Sequence, residues 1–521
     1  MGVQSLVPVA AILVPIVGAV VVYVAGVARR TLAGPSAAIL LTITFVLCAW
    51  TAAMVLLGGR SQIPLTAAEN GFLAIYVDAL SALLIGIVGL LGLLSVLFSL
   101  PALPALIARG HGSEERLPLY YALLTLFVGT MIWACSANNI VILWMAVEAT
   151  TLASALLVAF YWDRRALEAG YKYLLLLTIG ITFALFGCVL LYSAASSLFG
   201  PSAPLKPMMI SEITRNAAEL AKHAPSVVAA AVVMLVIGFG TKAGLVPMHA
   251  WLPDAHSEAP APVSVLLSGI VIKVGAYALA RCALPFLPIV PGVAAAVLFL
   301  AAVGMIGGIA ACAAQDDLKR LLAYSSVSQI GYVIMGLGLG SALAIFGGLF
   351  HLLNHALAKA LLFFSAGAIE NATGERSISK LGGLRRAMPY TAVAFFVGAL
   401  ALGGVPGLNG FLSKLTIFLA AADARAWWAA TVAVITGLLT LVVLVRCGVK
   451  VFFGEPRAPA GSSGQPTEVA GSMALALVVL AILCVILGVW PPVADSLVRP
   501  AADALQSVMP VAKAVASLPT Q

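Results

Sequence analysis

Apolar residues fill this chain in runs too long for a soluble helix or strand. Leu6–Val27 and Ser36–Gly58 carry no charged residue, and each exceeds the roughly 18 residues that suffice to cross a bilayer. Fourteen spans are predicted, near 6–27, 36–58, 78–100, 118–136, 138–160, 170–196, 225–247, 260–281, 287–311, 320–340, 342–369, 389–421, 427–453 and 471–495. The stretch 389–421 is longer than a bilayer needs and contains Gly403-Gly404-Val405-Pro406-Gly407, so it predicts a broken helix. The polar segment 208–222 is expected in the interface or a loop, and 454–470 (GEPRAPAGSSGQPTEVA) reads as a linker. The first run is too long for a signal-peptide core and has no basic residue before it, so it is expected to be a retained span.

Composition agrees: 62% of residues are hydrophobic and 9% charged, which excludes an ordinary soluble domain. The net charge of +8 forms no basic stripe, so the expected environment is a lipid bilayer rather than nucleic acid. Seven dispersed cysteines, none in a C-x-x-C pair, argue against disulfides, zinc and iron–sulfur ligation.

The basic residues give an orientation. With the N-terminus outside, cytoplasmic loops hold fifteen: Arg29, Arg30, Arg109, Arg116, Arg164, Arg165, Lys319, Arg320, Arg376, Lys380, Arg385, Arg386, Arg446, Lys450 and Arg457. The other side holds eight: Arg60, Lys206, Arg215, Lys222, Arg281, Arg425, Arg499 and Lys513. The excess predicts both termini on the outer, periplasmic side of a bacterial inner membrane. Five basic residues remain within spans, all lysines: Lys172, Lys242, Lys273, Lys359 and Lys414. Arginine stays charged when buried, whereas lysine can release its proton, so a lysine-only interior suits proton exchange.

Glu148 is the lone acid of its span, in NNIVILWMAVEATTLASALLV, and an intramembrane carboxylate calls for a partner. Lys242 is one: paired, it holds its proton; separated and desolvated, it releases it. The alternative is a lysine snorkelling to the interface, which requires the span to end near residue 242. Gly238, Gly240, Gly244 and Pro247 allow a helix break beside it, followed by a loop holding His249, Asp254, His256 and Glu258. Lys273 lies several residues deep beside Ser268, Gly269 and Gly275, which leave room for close helices and water. His351, His355 and Lys359 recur at four-residue spacing, which stacks them on one helix face. A His-x-x-x-His zinc site lacks a third ligand. Lys414 follows the second break. Asp316, Asp317, Lys319 and Arg320 read as interface anchors, and Tyr324, Ser325, Ser326, Ser328 and Gln329 either hold a water wire or bridge helices. GLVPMHAWL at 244–252 echoes GGVPGLNGFL at 403–412 five spans later; an odd separation inverts topology, as in an inverted repeat, with chance Gly/Pro punctuation as the rival. No P-loop or dinucleotide fingerprint is present, so no cofactor is expected and the driving energy must come from a partner or an ion gradient.

Together VDALSALL (77–84), WMAVEATTLASALLV (144–158), GFGTKAGLVPMHAWLPDAHSEAPAPVSVLLSGIVIKVGAYALAR (238–281), DLKRLLAYSSVSQIGY (317–332), HLLNHALAKALLFFSAGAI (351–369) and GVPGLNGFLSKL (404–415) resemble the antiporter-like subunit family. That family comprises proton-translocating membrane subunits of respiratory complex I, subunits of group 4 hydrogenases, and large subunits of multi-subunit cation/proton antiporters. Residues 119–177 are similar to the F-type subunit of hydrogenase-4, while GFLSKL looks more like D-type antiporter subunits and some complex I members. The sequence runs about 25 residues past the last span, so the lateral helix of L-type subunits is not expected. The resemblance implies an all-α membrane protein of about fourteen transmembrane helices with two inverted five-helix repeats and broken helices. Residues 1–117 would hold helices 1–3, 118–285 the first repeat, 286–453 the second, and 454–521 the linker and helix 14. It also implies that Glu148 and Lys242 are a coupling pair, that Lys273 is the central lysine, and that the His351–Lys359 row leads to Lys414. Lys172 matches a lysine after the glutamate-bearing helix and reads equally as an interfacial anchor.

The expected function is proton translocation in a complex I-like or group 4 hydrogenase-like assembly, driven by a soluble redox module and beside homologous membrane subunits. The alternatives are a sodium/proton antiporter subunit without electron transfer and a structural subunit that transports nothing.

Overall fold

The computed structural model describes residues 3–57, 65–67, 73–201, 204–456, 466–469 and 471–509. Arg60, Arg457, Lys513 and most of the expected linker lie outside the described residues. The chain is helical almost throughout. Helices α1 (Val3–Ala28) and α2 (Arg30–Leu56) precede a short antiparallel pair, β1 (Leu65–Ala67) and β2 (Ile75–Val77). Then come α3 (Ala79–Ala108), α4 (Leu117–Ser136), α5 (Ile140–Val158), α6 (Arg164–Phe199), α7 (Ile210–Arg215), α8 (Ala217–His223) and α9 (Pro225–Ala243). The next are α10 (Trp251–Glu258), α11 (Ala261–Leu266) and α12 (Ile272–Cys282), the last two joined by a π-helical turn at Leu267–Val271. The remainder are α13 (Pro291–Ala313), α14 (Leu318–Leu339), α15 (Ala342–Thr373), α16 (Pro389–Gly403), α17 (Asn409–Asp423), α18 (Trp427–Gly448), α19 (Ser472–Val489) and α20 (Pro491–Ser507).

Among the described residues, thirteen stretches are long and apolar enough to cross a membrane. They coincide with the predicted spans except at 389–421, which divides into α16 and α17 around the Gly-Pro turn. The polar segment near 208–222 forms the short helices α7 and α8.

Two groups of helices form the body. In the first, α4, α5, α6 and α9 pack in chain order and α12 closes back onto α9, α4 and α5; in the second, α13 to α16 pack likewise and α18 closes onto α16 and α13. Every residue from Ala261 to Leu287 and from Gly347 to Ile369 is buried, so α12 and α15 are enclosed by protein on all sides. An enclosed helix can carry polar side chains that lipid would penalise. The seven cysteines are buried free thiols.

One end of the bundle gathers Arg109, Lys172, Lys319 and Arg376, and is called the basic end; Asp78, Asn139 and Arg281 mark the opposite end, because α3 runs from one to the other.

Candidate functional site

Both helix breaks are built alike. At the end of α9, Gly244 takes φ +79° and Leu245 N–H donates to the Gly240 carbonyl at 2.9 Å. At the end of α16, Gly404 takes φ +85° and Val405 N–H donates to the Leu400 carbonyl at 3.0 Å. A left-handed glycine closing a helix in this way satisfies some terminal carbonyls and leaves others open. The open ones find different partners. The Trp251 indole donates to Thr241 O at 2.8 Å, whereas the Lys414 ammonium donates to Leu402 O at 2.7 Å, at the negative end of α16.

Four of the five lysines predicted within spans are enclosed by protein. Lys242, Lys273 and Lys359 are at most 1% exposed and Lys414 3%. Among the described residues Glu148 and Lys242 form no direct ion pair. Thr151, one helical turn after Glu148, stands between them: its hydroxyl accepts from Lys242 Nζ at 2.8 Å and donates to Glu148 Oε2 at 3.3 Å. Thr178 on α6 donates to Glu148 Oε1 at 2.8 Å. Glu148 is half-buried and opens toward the exposed Thr178 on the flank of the bundle. α9 does end at Ala243, as snorkelling would require, but Lys242 is wholly buried with its ammonium on Thr151, so the side chain does not reach out to the interface.

Lys273 docks on the Ser268 carbonyl at 2.5 Å, within the π-helical turn that precedes α12; such a turn displaces carbonyls from the regular ladder. Ser268 Oγ meets Ser326 Oγ of α14 at 2.8 Å. Beside it, Ser325 and the Leu322 carbonyl receive Lys359 Nζ. A short ladder of α14 hydroxyls therefore lies between Lys273 and Lys359. Along α15, His351 and His355 stack with centroids 6.3 Å apart. His351 is held at both nitrogens, by Ser413 (3.1 Å) and Gln329 (3.2 Å), while both nitrogens of His355 lack a protein partner. Ser413 leads directly to Lys414, whose ammonium lies 4.8 Å from the Tyr332 ring centroid.

The remaining predicted groups separate. Lys172 is half-exposed and paired with Glu168 (2.7 Å) and Asp254 (3.6 Å), and lines a polar cleft of about 190 Å³ with Glu258 and Arg320 at the basic end. His256 is buried without a side-chain partner at either nitrogen and stacks on Phe363, 5.1 Å away; Lys359 lies 5.8 Å from the same ring. His249 sits half-buried in the turn after α9. Ser328 donates to Met305 O at 2.9 Å and so ties α14 to α13, and Tyr324 is half-buried.

Two readings of charge change. Arg281, assigned by sequence to a loop, is buried in the last turn of α12 and paired with Asp78. The interior is therefore not free of arginine. Lys319, read as an interface anchor, is wholly buried against Glu370 at 3.1 Å. Sequence reasoning also missed Thr151, Ser413 and Glu370. Thr151 alone carried a local signal, three residues from Glu148 on a helix.

The comparisons agree with the resemblance. Residues 137–440 match the NADH:quinone oxidoreductase/Mrp antiporter transmembrane family. The chain is 36% identical over 389 residues to NADH-quinone oxidoreductase subunit N of Desulforudis audaxviator, covering 71% of this chain and 74% of that one. It is 36% identical over 352 residues to a hydrogenase-4 component F homolog of Methylacidiphilum infernorum, covering 67% and 72%. It is 31% identical over 421 residues to Na(+)/H(+) antiporter subunit A1 of Staphylococcus haemolyticus, covering 76% of this chain but only 51% of that relative. A chain of the Mrp complex from Dietzia sp. shares the fold, with a TM-score of 0.83 at 24% identity over 98% of this chain and 99% of that one. The chain belongs to the NADH:quinone oxidoreductase/Mrp antiporter transmembrane family, as an antiporter-like membrane subunit.

Proposed function

We propose that the chain is the proton-translocating membrane subunit of a complex I-like or group 4 hydrogenase-like respiratory complex. Its protons move along Glu148, Lys242, Lys273, Lys359, His355, His351 and Lys414, and redox chemistry in partner subunits drives them. The observation that carries this reading is the enclosure of four lysines within protein, three docked on backbone carbonyls of neighbouring helix segments and one on a threonine that also binds Glu148. Enclosed, hydrogen-bonded ammoniums can be charged and discharged without meeting hydrocarbon. The two helix groups are read as repeats spanning 118–285 and 286–453, with Glu148 and Lys242 as the switch. The flank where Glu148 and Thr178 open is read as the face that meets a homologous membrane subunit. The termini are read as periplasmic, a reading that the excess of basic residues at the basic end supports.

The test uses the complete complex in sealed vesicles with its electron donor. Glu148→Gln is expected to abolish most coupled proton uptake, and Lys242→Arg to do the same, because arginine keeps its proton. Full coupling in both variants would remove the proposal. The Staphylococcus relative favours a second reading, exchange of sodium for protons without electron transfer. It predicts proton movement driven by a sodium gradient alone, with no electron donor present.

A further inference from the structure

One face of α18 is left uncovered by the rest of the chain. Ile435, Leu438, Leu439 and Val442 recur at helical spacing and are 43–61% exposed. Toward the basic end the same face turns cationic: Arg446, one turn on, and Lys450, a turn further, are both exposed. The helix runs into a π-helical turn, Val449–Phe453, that leaves the Phe453 ring exposed. The loop before α16 is laid onto this turn, where Leu384 N–H donates to Val451 O at 3.3 Å and Arg385 N–H to Phe452 O at 3.0 Å. The Arg385 guanidinium then sits 5.0 Å from the Phe453 ring centroid, within cation–π range. The exposed Arg386 follows it.

Among the described residues none of Arg385, Arg386, Arg446 and Lys450 forms an ion pair, whereas Lys319, Arg320, Arg376 and Lys380 at the same end all do. Asp316, within electrostatic reach of Lys450, has its oxygens taken up by Ser377 and Ser379. Glu455 is exposed two residues past Phe453. Four cations against those two acids leave an excess of two positive charges. Basic residues at a span end orient a helix without needing to meet one another. Here backbone bonds hold a loop and a helix end together, so that cations gather beside an aromatic ring at the head of an apolar stripe. An acidic soluble partner would engage the cations but not the stripe, which runs into the membrane.

We infer that the basic end of α18 is a binding site for an anionic phospholipid. Arg385, Arg446 and Lys450 take the headgroup phosphate, as juxtamembrane basic clusters do, and the acyl chains lie along the stripe from Val442 to Ile435. The lipid fastens the loop before α16 to the end of α18, two helices that pack on each other and on α17, which carries Lys414. The inference does not depend on which ion the complex moves.

The test strips the intact complex of lipid in detergent, titrates it with phosphatidylglycerol or phosphatidylcholine, and counts bound lipid by native mass spectrometry. The unsubstituted complex should hold one phosphatidylglycerol that Arg446→Gln with Lys450→Gln binds about 25-fold more weakly, at about fivefold for each basic residue. Phosphatidylcholine should not occupy the site. Removing the same charge elsewhere at the basic end, with Arg29→Gln and Arg164→Gln, should leave that lipid in place. Arg385→Gln alone leaves α18 untouched and should weaken binding about fivefold, which decides the matter if the double variant does not assemble. Excess inorganic phosphate should not displace the lipid, because the chains on α18 also hold it; complete displacement would mean a simple anion site and would overturn lipid docking. Equal phosphatidylglycerol binding in the unsubstituted, Arg385→Gln and double variants would overturn it as well. So would loss of a partner subunit from the double variant with lipid binding unchanged, which would assign the cations to an acidic protein surface.

Discussion

At the scale of single residues, Thr151 decides how Glu148 and Lys242 communicate. Its hydroxyl binds both, so a shift in either charge is felt by the other without contact. A hydrogen bond to a charged group contributes about 1.5–3 kcal/mol, equivalent to about tenfold or more in a rate that depends on it. Thr151→Val is therefore expected to lower donor-driven proton uptake by about tenfold or more while the complex still assembles, and Thr151→Ser to retain it. Equal uptake in the valine variant would show that the two charges communicate by another route. The same scale explains what the sequence hides. An ionisable residue in an apolar run is conspicuous because hydrocarbon penalises it, so Glu148 and the four enclosed lysines stand out. A threonine is not conspicuous, and neither is the partner of a charge when it lies 203 residues away, as Asp78 does from Arg281.

Among the elements, close backbone approach sets the spacing of the charged groups. A Cβ on Gly275 of α12 would lie 2.4 Å from Ala243 N, against the end of α9 that carries Lys242. Overpacking of this kind costs about 1–3 kcal/mol. Gly275→Ala should lower the thermal inactivation temperature and weaken pumping. Gly307→Ala on α13, where nothing lies within 4 Å of the added carbon, should do neither. Unchanged stability in Gly275→Ala would mean that the two helices can part freely. The loop after α15 is held by Asp316, which accepts from Ser377 Oγ (2.5 Å), Ser379 N (2.9 Å) and Ser379 Oγ (2.8 Å). Burial would raise this carboxyl, but the bonds from Ser377 and Ser379 hold it below its ordinary value. Its stabilisation is therefore present above the ordinary carboxylate value of about 3.9 and lost as pH falls through the depressed one. Hydrogen-exchange protection of the loop should stay level down to about pH 5 and fall only below about pH 4, and Asp316→Asn should lower it already at neutral pH. The helices themselves were legible because a bilayer demands long apolar runs, and the break at Gly404 because glycine and proline interrupt one. The burial of Lys319 was not: its position at a span end matches an interfacial lysine, and only the fold brings Glu370 to it.

For the whole molecule, the question is what holds the two helix groups in one register. At the basic end, Lys319 Nζ binds Glu370 Oε2 at 3.1 Å and the Ala259 carbonyl at 2.9 Å. Arg376 donates to the Ser257 carbonyl and lies 3.5 Å from Asp317, 3.7 Å from Glu258 and 3.7 Å from Glu370. Ser257, Glu258 and Ala259 form the junction between α10 and α11, just past the first helix break. Lys319, Glu370 and Arg376 belong to the second group, so the cluster fastens the displaced segment of one group to the body of the other. Removing one member of a buried ion pair costs about 3–5 kcal/mol, whereas replacing both by apolar residues of similar volume is often neutral. Glu370→Ala strands the Lys319 ammonium and is expected to lower the thermal inactivation temperature of the purified complex sharply. Lys319→Met with Glu370→Met should recover most of that loss, because Arg376 keeps Glu258 and Asp317. If pumping also returns in the double variant, the cluster acts as a fastener alone. If stability returns and pumping does not, the ionised pair itself takes part in coupling the two groups. A Glu370→Ala complex as stable as the original would show that the groups are held in register elsewhere, by the apolar packing of α11 against α15.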